Sequence, residues 1–111
     1  MIAKNFRIPR ERIAYILDKG EEKSSKLFII RFLKNNESFP RFRTVISKKI
    51  AAKAVRRNHL RRQVYEAIRL ELKESNSKKS LDIILIPKKR ITESQYEDIS
   101  ADIRNIINKN G

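Results

Sequence analysis

The sequence predicts an α+β domain, and three observations carry that prediction. Three short segments read as strands: the apolar, β-rich LFIIRFL (27–33), the alternating RFRTVIS (41–47) and the apolar LDIILIP (81–87). Three other segments place their apolar residues at helical spacing. With 111 residues and 40% hydrophobic content, the chain can bury one modest core and not two, so residues 1–111 are expected to form a single domain.

The first helix is PRERIAYILDK, with Pro9 where a first turn tolerates it, Gly20 at its stop, and Ile13, Ile16 and Leu17 on one side. GEEKSSK is polar and turn-like, 27–33 is a buried strand, and KNNESFP is a loop. In RFRTVIS, Phe42, Thr44 and Ile46 face one way while Arg41, Arg43 and Val45 face the other, giving a core face and a basic face. A long basic helix runs from about Lys53 to Lys73, followed by the polar connection KESNSKKS. Strand 81–87 is stopped by Pro87, with Lys88, Lys89 and Arg90 just beyond it. In the last helix, Thr92 and Gln95 have capping-box spacing, and Tyr96, Ile99, Ile103, Ile106 and Ile107 form the apolar stripe.

Charge narrows the function classes. Lys and Arg number 27 against 13 Asp and Glu, a net charge of +14 that attracts a polyanion. There is no cysteine, which excludes disulfides and thiolate metal sites and fits a reducing cytoplasm. The single histidine, His59, cannot make a zinc centre or a triad alone. No apolar run approaches the ~20 residues of a membrane span, and MIAKNFRIPRER lacks the apolar core of a signal peptide, so a cytoplasmic protein with no membrane partner is expected. Glu93, Glu97, Asp98 and Asp102 cluster near the start of the last helix, where they complement its dipole and solubilise its outer face. They do not form the convergent carboxylate set of a two-metal nuclease, so no catalytic residue and no protein-bound metal is expected.

The basic helix divides into faces. At 100° per residue, Leu60, Val64, Ala67, Ile68 and Leu72 fall on one side, the core side. Opposite lie Asn58, Arg62, Tyr65 and Arg69, with Arg57 and Arg61 on a shoulder between the faces. Pairs such as Glu66 with Arg69 would suit an ordinary solvated face. Yet between residues 38 and 65 there is no acidic residue, whereas a solvated face mixes signs. Guanidinium groups match phosphate oxygens in bidentate geometry, and Tyr65 would stack on a base or ribose.

The run SKKIAAKAVRRNHLRRQVYEAIR resembles the signature of the bacterial ribonuclease P protein component, through Ser47, Lys48, Lys49, Ala54, Val55, Arg57, Asn58, Arg61, Arg62, Glu66 and Arg69. Arg7-Ile8 and Gly20 are similar to that family's opening pair and its glycine after the first helix. His59 and Tyr65 stand where the family has arginine, and Ile13 and Leu17 where it has phenylalanine. The resemblance implies a small α/β sandwich, about three helices on a mostly antiparallel four-stranded sheet in the order α-β-β-β-α-β-α. It implies a noncatalytic protein subunit: the RNA subunit, with divalent metal (Mg2+), cleaves the 5′ leader from precursor tRNA. Carried over by position, Lys53, Arg57, Asn58, His59, Arg61, Arg62, Tyr65 and Arg69 would meet the catalytic RNA. The leader of precursor tRNA would run past Ile13, Leu17, Ile29 and Arg31, with Lys48, Lys49, Lys88, Lys89 and Arg90 extending the path. The free protein is expected to be monomeric. The alternative is a ribosomal-protein-like structural RNA-binding module, which shares the charge without needing the Arg57-Asn58 spacing.

Overall fold

The structure is a computed structural model; it describes residues 3–75 and 79–110, with side chains through residue 108. Residues 76–78 of the connection KESNSKKS lie outside the described residues. After a 3₁₀ turn at Lys4–Phe6 come α1 (Arg10–Lys19), β1 (Glu21–Ser24), β2 (Phe28–Lys34), β3 (Arg41–Thr44), α2 (Ala54–Ser75), β4 (Leu81–Pro87) and α3 (Tyr96–Asn110). A second 3₁₀ turn, Lys89–Glu93, leads from β4 towards α3.

The sheet order is β1-β2-β4-β3. β2 pairs antiparallel with β1 and β4, while β3 runs parallel to β4. This mixed, mostly antiparallel sheet with three helices is the α+β sandwich expected from the sequence. α2 and α3 cover one face, where Phe28, Ile30, Phe42, Ile83 and Leu85 meet Leu60, Val64, Ile68 and the isoleucine stripe of α3. α1 covers part of the other face through a smaller core of Ile8, Ile16 and Ile84. Strand alternation explains the split: neighbouring residues of β2 and β4 point to opposite layers, so these central strands are apolar on both sides.

Gly20 ends α1 by close approach. Its backbone is ordinary (φ −70°), but a Cβ there would lie 2.5 Å from the Ile16 carbonyl oxygen and 3.0 Å from that of Phe32. Glycine lets the chain turn directly off the helix into β1.

Three expectations need correction. GEEKSSK is not a simple turn: Glu21–Ser24 forms an edge strand beside β2, exposed at all four residues, so alternation left no trace in its composition. Thr92 does not cap α3; its hydroxyl donates to the Lys89 carbonyl within the 3₁₀ turn, and the Gln95 N–H is instead caught by the Asp98 carboxylate at 3.0 Å. Asp102 does not solubilise an outer face. It is 6% exposed and accepts from Ser25 Oγ at 2.7 Å and the Leu27 N–H at 2.9 Å, tying the β1–β2 turn to α3.

A buried carboxylate locks the opposite layer. Asp82, the polar residue within LDIILIP, is fully buried and accepts from Arg12 Nε at 2.8 Å, Arg41 Nε at 2.8 Å, Arg41 Nη2 at 2.9 Å and Asn35 Nδ2 at 2.9 Å. Burial pushes its carboxyl up, but the hydrogen bonds from Arg41, Asn35 and Arg12 outweigh that, and its pKa falls below the ordinary aspartate value. The network joins α1, β3, β4 and the loop after β2, converting an expensive buried charge into a satisfied one. Among the described residues, no helix is long and apolar enough to cross a membrane.

Candidate RNA interface

The basic helix is α2, and its exposed side is assembled largely as its spacing predicts. Lys53, Asn58, His59, Arg62 and Arg69 are exposed, while Arg57 and Arg61 are half-buried at the shoulder. Arg57 Nη1 donates to the carbonyls of Ala51 and Ala52 at 2.9 and 2.7 Å. The guanidinium thereby closes the turn that carries Lys48 and Lys49 into the helix. Arg61 Nη1 donates to Asn58 Oδ1 at 2.6 Å, holding the amide in a fixed orientation beside the guanidinium. Arg69 pairs with Glu66 at i,i+3; the hydrogen bond holds the Glu66 carboxyl below its ordinary pKa and raises that of Arg69. Arg56, outside the predicted set, donates to the Thr92 carbonyl at 2.9 Å and ties α2 to the turn before α3.

Tyr65 is a correction. It is 2% exposed, and its hydroxyl accepts from the Thr44 N–H at 3.2 Å. It lies about 20° around the helix from Leu72, at the edge of the apolar arc, and its ring follows that edge inward to β3. The tyrosine cannot stack on a nucleotide while it fills this position; it satisfies an N–H at the edge strand instead. The exposed face is therefore guanidinium, amide and imidazole, without the aromatic ring. Beside it, His59, Arg62, Gln63, Glu66 and Tyr96 line a groove of about 510 Å³ between α2 and the start of α3.

Ile13, Leu17, Ile29 and Arg31 share the α1 side of the sheet, as predicted, but their exposure differs. α1 shields Ile84, whereas Ile29 and its cross-strand partner Ile86 are only partly buried. Val45, next along this end of the sheet, and Leu17 are each 38% exposed. A partly covered apolar strip therefore runs beside α1. The Arg31 guanidinium is committed internally, donating to the Leu17 carbonyl at 2.6 Å and to Glu22 at 3.1 Å, so it clamps the end of α1 onto β2.

The lysines past the strands meet because β3 and β4 run parallel and release their chains at the same end. Lys89 Nζ donates to the carbonyls of Lys49 and Ile50 at 3.1 and 3.2 Å, and Lys88 Nζ to Ser24 Oγ and the Ser25 carbonyl, each at 2.6 Å. These two ammonium groups brace loops. Lys48, Lys49 and Arg90 remain exposed at the end of the strip. No group of three or more His, Cys, Asp or Glu among the described residues is placed to hold a metal ion.

Fold and surface thus define a small basic α+β domain with, on one layer, an arginine-rich helix whose first half carries no acidic residue, and a half-covered apolar sheet on the other. A family model described as Ribonuclease P matches residues 4–111. A ribonuclease P protein component of Clostridium botulinum is 31% identical over 87% of this chain and 86% of its own length. One of Clostridioides difficile is 32% identical over 81% and 77%. The RNase P protein of Thermotoga maritima superposes with a TM-score of 0.80 at 25% identity, covering 95% of this chain and 97% of that one. The Staphylococcus aureus RNase P protein shares the fold, with a TM-score of 0.73 over 94% of this chain and 93% of its own. The chain belongs to the ribonuclease P protein family.

Proposed function

We propose that this chain binds the catalytic RNA of ribonuclease P through the exposed side of α2 and guides the 5′ leader of precursor tRNA along the partly covered sheet strip, assisting 5′ maturation of tRNA. The observation that carries this reading is the combination of family membership with an exposed basic surface: Lys53 and Arg62 lie exposed and form no ion pair among the described residues, beside the exposed Asn58 and His59. Such a surface neutralises phosphates and releases their counterions. The chain contributes binding and orientation, which cost the reaction less when prepaid by a rigid scaffold. Divalent metal belongs to the RNA subunit in this scheme, and no step is assigned to it in the protein. The ribosomal-protein-like alternative has no comparable support once the family is known.

Crosslinkers placed at positions 59 and 29 test the two surfaces separately in a reconstituted holoenzyme. The predicted outcome is a crosslink from 59 to the RNA subunit and from 29 to the leader. If position 29 reached only the RNA subunit, the leader assignment would be lost.

A further inference from the structure

We infer that the N-terminal end of α1 holds a separate phosphate-binding site for an RNA strand, built from Lys4, Arg7, Arg10 and Arg43. These four side chains surround a concavity of about 400 Å³ that neither α2 nor the apolar strip includes. The fold assembles it by a backbone bridge: Arg7 lies beside Phe42, and the Ile8 N–H donates to the Phe42 carbonyl at 3.1 Å. That contact draws the chain before α1 along the edge of β3. Alternation in β3 then turns Arg43 to the α1 side, where its Nη2 donates to the Ile8 carbonyl at 2.7 Å.

The site has donors and lacks acceptors. Nε of Arg7 and Nε of Arg43 are both buried without a hydrogen-bond partner. Leaving a charged donor buried and unsatisfied is costly, and gathering four cations in one hollow adds repulsion that an anion would relieve. Glu11 also lines the hollow but is exposed and forms no ion pair with the four. α1 adds its own positive end: its N-cap is Pro9, which makes no side-chain cap, so the N–H groups of Arg10 and Glu11 keep no acceptor among the described residues, while that of Arg12 donates to the Pro9 carbonyl at 3.0 Å. Bidentate guanidinium groups and helix N–H groups together match a phosphodiester better than a carboxylate side chain.

This inference rests on the RNA-binding function proposed above, and the phosphate has two sources, leader or RNA subunit. The test compares wild type with the double variant Lys4→Ala/Arg10→Ala, whose side chains are exposed and make no internal hydrogen bond among the described residues. Affinity is measured against salt in two arms: the RNA subunit alone, and leader-bearing precursor tRNA in the reconstituted holoenzyme. Loss of two phosphate contacts is expected to flatten the log–log salt slope by about 1 to 2 in one arm. That arm identifies the strand; unchanged slopes in both arms overturn the site. If the variant fails to fold, titration of the free wild-type protein with inorganic phosphate decides: saturable shifts of the Arg7 and Arg43 Nε–H resonances support it, and unmoved resonances overturn it. Failure of wild type itself to assist processing would count against the proposed function, while the phosphate titration would still judge this site.

Discussion

Arg57 shows how one motif residue serves structure and binding together. Its Nη1 holds two carbonyls of the turn before α2, while the rest of the guanidinium lies at the shoulder of the exposed face. Arg57→Ala is therefore expected to weaken binding to ribonuclease P RNA by about 1 to 3 kcal/mol, measured by filter binding, with a modest loss of thermal stability. Equal affinity for wild type and variant would remove Arg57 from the interface. Tyr65 gives the opposite expectation. Tyr65→Phe strands the buried Thr44 N–H and should cost about 1 to 3 kcal/mol of folding stability in urea melts, leaving RNA affinity of the folded protein unchanged. A loss of RNA affinity without a loss of stability would mean that the ring meets RNA after all. Helical spacing alone could not settle this residue, because it sits where the apolar and basic arcs join. A large ring at such a border follows whichever neighbour offers a partner, and Thr44 is distant in sequence.

At the scale of elements, legibility followed contrast between faces. β2, β3 and β4 were readable because apolar content or alternation marked them, and α2 and α3 because their apolar stripes recur at helical spacing. β1 was not, since a four-residue edge strand exposed throughout needs no apolar residue. Asp82 was hidden for a related reason: an acid in an apolar strand declares its partners only after folding brings Arg12, Asn35 and Arg41 to it. Asp82→Asn removes the charge that these donors share, and breaking such a buried pair costs about 3 to 5 kcal/mol. Because the folded-state pKa is lowered, the carboxylate stabilises the protein above the unfolded value of about 3.9. That contribution disappears as pH falls through the lower folded value. Urea melts of both proteins across acidic pH should show a stability gap that closes on acidification; a gap independent of pH would deny Asp82 this role.

The whole molecule separates two surfaces by a sheet. α2 and α3 fill one side and present the arginine face outward, while α1, pinned by Asp82 and Gly20, leaves the strip at Ile29 and Ile86 only partly covered on the other. The proposed division, catalytic RNA on one layer and leader on the opposite one, uses that separation. The net charge of +14 pointed to a polyanion, the fixed spacing from Ser47 to Arg69 to a family, and only the fold placed the two surfaces on different layers. The loop-bracing lysines at 88 and 89 belong to that last level, because their acceptors come from distant segments. Reconstitution decides whether the chain works as a ribonuclease P subunit. Added to a bacterial ribonuclease P RNA at low magnesium, the chain is predicted to restore 5′ processing of precursor tRNA; no stimulation at any protein concentration would contradict the account.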